Sequence, residues 1–278
     1  MSGKLIRNAA RPSSKRAAEP VRTIAEGEAR ILALEQQQKR LRKQLLEARQ
    51  SRQSARIDTE FALELERRRS QELEAAYYDT VLRLTQASVF KDRETGAHIH
   101  RVSYYARILA RKLGWTEEEQ ELIFRAAPMH DVGKIAIPDD LIRKRGGLDG
   151  VERVVMESHT LIGASLLEGS NSRLLDMARE IALTHHEHWD GSGYPHRLIG
   201  DQIPISGRIV MLSDHYDALR SRRSYKRGFD HEASCRIILD GDGRTLPSHF
   251  DPHLLELFAS AHHEFEVVFE QHKDESQR

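Results

Sequence analysis

A single cysteine, Cys235, stands among 278 residues. No intramolecular disulfide can form, and a reducing compartment is the expected home. Cys235 itself reads as a small apolar residue buried on a helix. No apolar run approaches the roughly 20 residues that a membrane span needs. The N-terminal stretch MSGKLIRNAARPSSKR is basic but lacks the apolar core of a secretory signal. A cytoplasmic location is expected from these absences. Net charge is lacking too, with 43 Lys+Arg against 43 Asp+Glu. Whole-chain electrostatics therefore point to neither a nucleic-acid polymer nor an anionic membrane. No internal repeat and no long alternating strand pattern is present, so the expected fold class is all-α.

The zero net charge conceals an asymmetry. Residues 1–80 carry 17 Lys+Arg against 12 Asp+Glu, leaving 26 against 31 for residues 81–278. The longer part is net negative, a balance that bound divalent cations would offset. Composition divides the chain three ways. Residues 1–22 are basic and polar and are expected to be disordered. Residues 23–72 are rich in Ala, Leu, Glu, Gln, Lys and Arg, and read as a long helix. Leu34, Leu41 and Ala48 share one heptad register, Ile31 and Leu45 the complementary one, while Gln38 and Arg52 interrupt it. Such a seam suits a homodimer through 23–72, although a solvated helix with no partner would look similar. From Leu73 through Tyr77, Val81 and Leu84 the helical pattern strengthens, so residues 73–278 form the expected main domain. Within it, Thr116 with Glu119 and Asp149 with Glu152 are capping boxes, and Asp251-Pro252 supplies an N-cap and a proline at the first helical position. The helix opened by Asp149 is expected to reach His159.

Several segments pair imidazoles with carboxylates. In MHDVGK, His130 and Asp131 offer a nitrogen and an oxygen ligand from adjacent positions, and Lys134 follows as a cation. A carboxylate can bridge two metals through its two oxygens, which makes a His-Asp pair a natural nucleus. In RETGAHIHRV, Glu94 and His98 are four apart, the spacing of one helical face. His159 lies in ESHTLIGASLL. Asp214 interrupts the apolar helix IVMLSDHYDAL, where a buried carboxylate is costly unless paired or bound to metal. The densest stretch is LTHHEHWDGSGYP, residues 183–195. His185 and His186 are neighbours, and on a helix neighbours diverge by about 100°, an arrangement that straddles a cluster better than it chelates one ion. Gly191, Gly193 and Pro195 then end the helix.

HDVGK followed by HHEHWDGSGYP resembles the HD-GYP family of HD-superfamily metal-dependent phosphohydrolases. The similarity extends from about residue 82 to 269 and includes DRETGAHIHRV, IPDDLIRK, ESHTLIGASLL and FDP. It implies an HD-type helical bundle, here preceded by the long N-terminal helix or coiled coil. It implies two or three divalent metal ions, for which the nitrogen-and-oxygen donor set suits iron or manganese. Carried over by position, His98, His130, Asp131 and Asp214 match the four-ligand site of the wider superfamily. His159, His185 and His186 match the second metal's ligands, with Asp131 bridging. Glu94 stands where members with a third metal have a carboxylate. The implied activity is cyclic di-GMP phosphodiesterase, hydrolysing the ring to linear pGpG or onward to GMP in bacterial second-messenger signalling. Asp131 and Lys134 are its expected catalytic residues. Lys134 would stabilise charge or protonate the departing 3′ oxygen, and Tyr194 would sit on a lip beside the site. RRSYK, residues 222–226, resembles the family's R-P-Y-K segment, making Arg223 and Lys226 expected substrate cations. Ser224 replaces the usual proline there, and RKRGG at 143–147 replaces a Lys-Pro-Gly turn.

Other readings compete. Such a domain can serve as a catalytically weak signalling adaptor that binds a cyclic dinucleotide or a diguanylate cyclase, or it can hydrolyse another cyclic dinucleotide. Most members carry a sensor domain, for which residues 1–80 are too short and too polar, so a sensor or cyclase partner is a further expectation. Trp189 reads as a packing anchor rather than a guanine platform, and Glu187 and Asp190 as supporting or structural residues. The remaining ten histidines, among them His188, His231, His262 and His263, are assigned no metal role.

Overall fold

The computed structural model describes residues 18–92, 96–144, 146–169, 171–221 and 228–273, with side chains from residue 26 except at 84 and 87–92. Among the described residues the regular structure is helical: α1 (Ala18–Asp92), α2 (Gly96–Lys112), α3 (Glu117–Ala126), a 3₁₀ segment (Ala127–Ala136), α4 (Asp139–Ile142), α5 (Gly150–Glu157), α6 (His159–Leu166), α7 (Arg173–Thr184), α8 (Ile205–Arg220), α9 (His231–Asp240) and α10 (Pro252–Gln271), with two shorter 3₁₀ turns. The only β pairing described is an isolated bridge between Asp190 and Ile199. The all-α expectation holds, long N-terminal helix included. The chain divides into two compact units, Met1–Glu74 and Ala75–Arg278.

The first unit is α1 as far as Glu74. Ile31, Leu34, Leu41 and Leu45 are all more than half exposed along it. Ion pairs Arg56–Glu60 and Arg68–Glu72 join successive turns at 2.8 and 3.1 Å. Exposed pairs of this kind contribute only about 0.3–0.5 kcal/mol each, so apolar contact is what this helix has left to gain.

In the second unit local chemistry sets the helix starts. Thr116 Oγ1 accepts from Glu119 N while the Glu119 carboxylate accepts from Thr116 N, opening α3. Asp149 and Glu152 repeat that reciprocal cap at α5. Asp230 accepts from Ala233 N at α9, and Asp251 from His253 N at α10. The helix expected to run from Asp149 through His159 stops at Glu157. Ser158 intervenes, and α6 restarts at His159.

Helices α2, α8 and α10 meet through aromatic side chains. Tyr105 of α2 stacks on Phe265 of α10 with centroids 4.6 Å apart, and both meet Tyr216 of α8 edge-on. All three are fully buried. Leu254, Phe258, Ala261, Phe265 and Phe269 recur at helical spacing to make the buried stripe of α10. On the other side, the 3₁₀ segment packs against α6 and α7. It approaches α6 so closely that Gly133 admits no side chain: a Cβ there would lie 1.9 Å from the His159 carbonyl oxygen and 2.5 Å from Gly163 N. The glycine of HDVGK is thus a packing requirement that brings Asp131 up to His159. Gly133→Ala should push the two backbones apart, costing about 1–3 kcal/mol or more. The expected fall in melting temperature, followed by circular dichroism, is roughly 5 °C or more; an unchanged melt would contradict the close approach.

Candidate metal centre and active site

The 3₁₀ segment, α2, α6, α8 and the end of α7 each contribute to one buried cluster. His98, His130 and Asp214 form one group able to hold a metal ion, and Asp131, His159, His185 and His186 form a second. Asp131 stands between them. Its Oδ2 lies 3.2 Å from His130 Nε2, and its Oδ1 lies 3.2 Å from His159 Nε2 and 3.6 Å from His185 Nε2. Asp214 Oδ1 is 3.5 Å from His98 Nε2 and 4.0 Å from His130 Nε2. Lys134 reaches Asp131 Oδ2 at 2.6 Å.

Orientation of the imidazoles explains what they are for. His130 Nδ1 donates to Ala127 O, His159 Nδ1 to Met156 O, and His185 Nδ1 to Ile181 and Ala182 O. His98 Nδ1 donates to Asp217 Oδ2. Carbonyl and carboxylate oxygens only accept, so each Nδ1 carries a proton and each ring turns its Nε2 inward. The Nε2 atoms of His130, His159 and His185 are buried and make no aligned hydrogen bond. Buried lone pairs converging on carboxylates fit a divalent cation, and the donor set of nitrogen and oxygen without thiolate suits iron, manganese or zinc.

Charge agrees with that fit. Burial alone would raise the Asp131 pKa, but Lys134 and His130 outweigh it and hold the carboxyl well below its usual value. Burial likewise opposes Asp214, which His130 and His98 nevertheless keep low. Burial lowers His185 and lowers His186 further, the latter with help from His185 and His159. Both rings are therefore neutral near pH 7 while the two aspartates are anions.

His185 and His186 are not on a helix. Helix α7 ends at Thr184 with His185 as its C-cap, so the divergence expected of helical neighbours does not apply. Their ring centroids lie 4.1 Å apart and both belong to the same group of donors. The following turn is shaped by close approach. A Cβ on Gly193 would fall 2.3 Å from His188 N and 2.4 Å from His186 O, which allows Tyr194 N to donate to His186 O. The Tyr194–Pro195 peptide bond is cis. Tyr194 stacks on His186, centroids 4.7 Å apart, and burial pushes its phenol pKa up. It packs against two of the clustered histidines, His186 and His159. Glu187 accepts from His196 N and Leu198 N, and Asp190 from Ser192 N and Ser248 Oγ, so both close the loop as expected. Arg208 covers the Trp189 ring at 5.0 Å, which makes Trp189 a packing anchor. Glu94, Arg223, Ser224 and Lys226 lie outside the described residues.

The HD-domain family profile matches residues 42–254. This chain belongs to the HD-domain family. It is 45% identical over 190 residues to the 3′3′-cGAMP-specific phosphodiesterase 2 of Vibrio cholerae, covering 68% of this chain and 36% of that one. It is 39% identical over 237 residues to the cyclic di-GMP phosphodiesterase response regulator RpfG of Xanthomonas campestris, covering 84% and 61%. The cyclic di-GMP phosphodiesterase of Thermotoga maritima is 40% identical over 204 residues, covering 73% and 54%. The chain thus spans from about a third to three fifths of the length of these curated relatives. The crystal structure of a cyclic GMP-AMP-specific phosphodiesterase of V. cholerae, 18% identical, superposes with a TM-score of 0.50 over 72% of this chain and 51% of that one, which reflects a shared helical fold.

One residue of this HD domain escaped sequence reading. Asp217, fully buried on α8, accepts Arg101 Nε at 2.6 Å on Oδ1 and Arg101 Nη2 at 2.8 Å on Oδ2, besides the proton of His98. Burial would raise its pKa, but Arg101 and His98 hold it far below the usual carboxylate value. Its signal was in plain sight: DHYD puts a second charge in the same apolar helix as Asp214. Asp217→Ala should leave Arg101 buried without its counter-ion, costing about 3–5 kcal/mol, and free the His98 ring to turn. Metal affinity, measured by competition with a chromophoric chelator, should fall about 10–100-fold. Asp217→Asn, which can still accept from His98, should lose less affinity; equal affinity in all three proteins would dismiss the orienting role.

Proposed function

We propose that this chain is a metal-dependent phosphodiesterase that hydrolyses cyclic di-GMP to linear pGpG, with GMP as the further product, in the cytoplasm of a bacterium. The observation that carries the reading is the pairing of two His/Asp donor groups through the two oxygens of Asp131, with Lys134 on the same carboxylate. The names of the relatives from Xanthomonas and Thermotoga support the substrate. Two divalent ions held there would supply Lewis acidity and a water acidic enough to attack phosphorus near neutral pH. The protein's own part is positional. His98, His130 and Asp214 hold one side of Asp131, and His159, His185 and His186 the other. Glu94 would add a third metal ligand. Lys134, its Nζ 2.6 Å from Asp131 Oδ2, is placed to donate its Nζ proton to the departing 3′ oxygen or to offset charge on the phosphate. Tyr194 would bound the substrate, and Arg223 and Lys226 would hold the phosphodiester.

Residues 73–278 would be the catalytic domain and 23–72 a helical coupling segment following a basic 1–22. No described helix is long and apolar enough to cross a membrane. The exposed register of Ile31, Leu34, Leu41 and Leu45 supports pairing of two copies through 23–72, and a sensor or a diguanylate cyclase could dock on the same surface. A second substrate is favoured by one finding: a relative named as 3′3′-cGAMP-specific is 45% identical.

Protein loaded anaerobically with iron(II) or manganese(II) and given cyclic di-GMP or 3′3′-cGAMP at matched concentration should yield the linear product from cyclic di-GMP at the higher kcat/KM. Lys134→Met should keep its metal and lose about 10²–10³ in kcat. No product with either metal would leave the adaptor reading in its place, and faster turnover of 3′3′-cGAMP would change the substrate. Light scattering should give the full chain a dimer mass, and the Leu41→Asp, Leu45→Asp variant a monomer mass. A variant that stays dimeric would remove the seam from the account.

A further inference from the structure

Histidines concentrate a second time where α9 meets α10. His231 opens α9, and His262 and His263 lie on α10 with Glu266 a turn further on. His231, His262 and His263 each present a ring nitrogen within 4.8 Å of the others, and none belongs to the two groups around Asp131; although His262 and His263 are neighbours on α10, their rings turn towards each other, centroids 4.2 Å apart. His231 Nε2 and His262 Nδ1 are 2.9 Å apart. Glu266 Oε2 is 3.8 Å from His231 Nε2 and 3.7 Å from His263 Nδ1. Cys235 Sγ, one turn along α9, is 3.7 Å from His231 Nε2.

We propose that His231, His262, His263 and Glu266 form a separate binding site for a borderline divalent transition metal of the zinc type, which clips α9 to α10. In a tetrahedral zinc site, bonds of about 2.0–2.1 Å set the donor atoms roughly 3.3–3.4 Å apart. The four donors span distances on either side of that value. The His231–His262 pair, which now shares one proton, would open by a few tenths of an ångström as metal replaces the proton. Glu266 would close by a similar amount. Three nitrogens and one carboxylate are a common donor set for zinc, and too nitrogen-rich for calcium or magnesium. His231 is positioned in advance. It is buried, and its Nδ1 is hydrogen-bonded to Tyr216 OH at 2.8 Å, which fixes the ring and leaves Nε2 to the cluster. His263 and Glu266 are more exposed, with side-chain accessibilities of 81% and 41%, so an ion can enter from solvent without opening the core. Occupancy would act on the catalytic helix by contact, because Tyr216 lies on α8 between Asp214 and Asp217.

This site stands apart from the phosphodiesterase reading: a chain that hydrolysed no cyclic dinucleotide would still bind the ion. Full-length protein saturated with manganese is titrated with zinc(II), desalted and assayed for metal, beside the His262→Ala, His263→Ala variant. Zinc that displaces manganese around Asp131 does so in both, so the difference counts only the α9–α10 site. The wild type should retain one more zinc per chain, and its melting temperature should rise with zinc while the variant's does not. Equal zinc content overturns the proposal. If the double variant fails to fold, cobalt(II) takes over as probe. The visible absorption of tetrahedral cobalt that appears in the wild type should be lost in His262→Gln, and its persistence there overturns the proposal equally.

Discussion

Asp131 is a carboxylate taken out of water and set among His130, His159, His185 and the ammonium of Lys134. Burying such a charge is costly unless the surrounding groups answer it from fixed positions. The fold around it follows from that demand. The 3₁₀ segment must come within backbone contact of α6, which requires glycine at 133. Helix α7 ends at Thr184, just before His185 and His186, which join the same group of donors as Asp131. Four of the five imidazoles, those of His98, His130, His159 and His185, spend the outer nitrogen on a carbonyl or on Asp217, so that the inner nitrogen is turned to the centre. A ring left free to rotate would forfeit both the hydrogen bond and the direction of the lone pair.

The other side of the centre depends on a second buried charge. Arg101 lies fully inside the core under the ring of Phe269 and donates to Asp217, to Ser221 Oγ and to the His272 carbonyl. One guanidinium thus ties α2 to α8 and to the end of α10. Its planar fork matches the Asp217 carboxylate in two parallel bonds, a geometry that lysine cannot reproduce. Asp217 then passes the order on to His98. A motif reading that stops at the ligands misses this layer, although it determines where one of them points.

What could be read from sequence, and what could not, divides by the range of the interaction. The caps at Thr116, Asp149 and Asp251 use groups three residues apart or fewer, so their chemistry is written locally. The His-Asp pair and the HHExxDGxGYP pattern were legible because a long motif carries its own geometry. The supposed helical divergence of His185 and His186 failed because α7 ends at Thr184. Asp217 carried the same signal as Asp214, but its partner Arg101 is more than a hundred residues away in sequence. His231 and His262 carry no metal signal in the sequence for the same reason: only the crossing of α9 and α10 makes them neighbours.

The two kinds of histidine cluster differ in preorganisation, and that difference orders their chemistry. Around Asp131 four rings are fixed through Nδ1 and the site is buried, so little conformational entropy remains to be lost when an ion arrives. At the α9–α10 crossing only His231 is fixed in that way, through Tyr216, while His263 and Glu266 keep rotamer freedom at the surface. Binding there must order two side chains and replace a shared proton. The peripheral ion is therefore held more weakly, exchanges with solvent and competes with protons. Tyr216 makes the two kinds of occupancy neighbours on one helix, with Asp214 and Asp217 on either side of it.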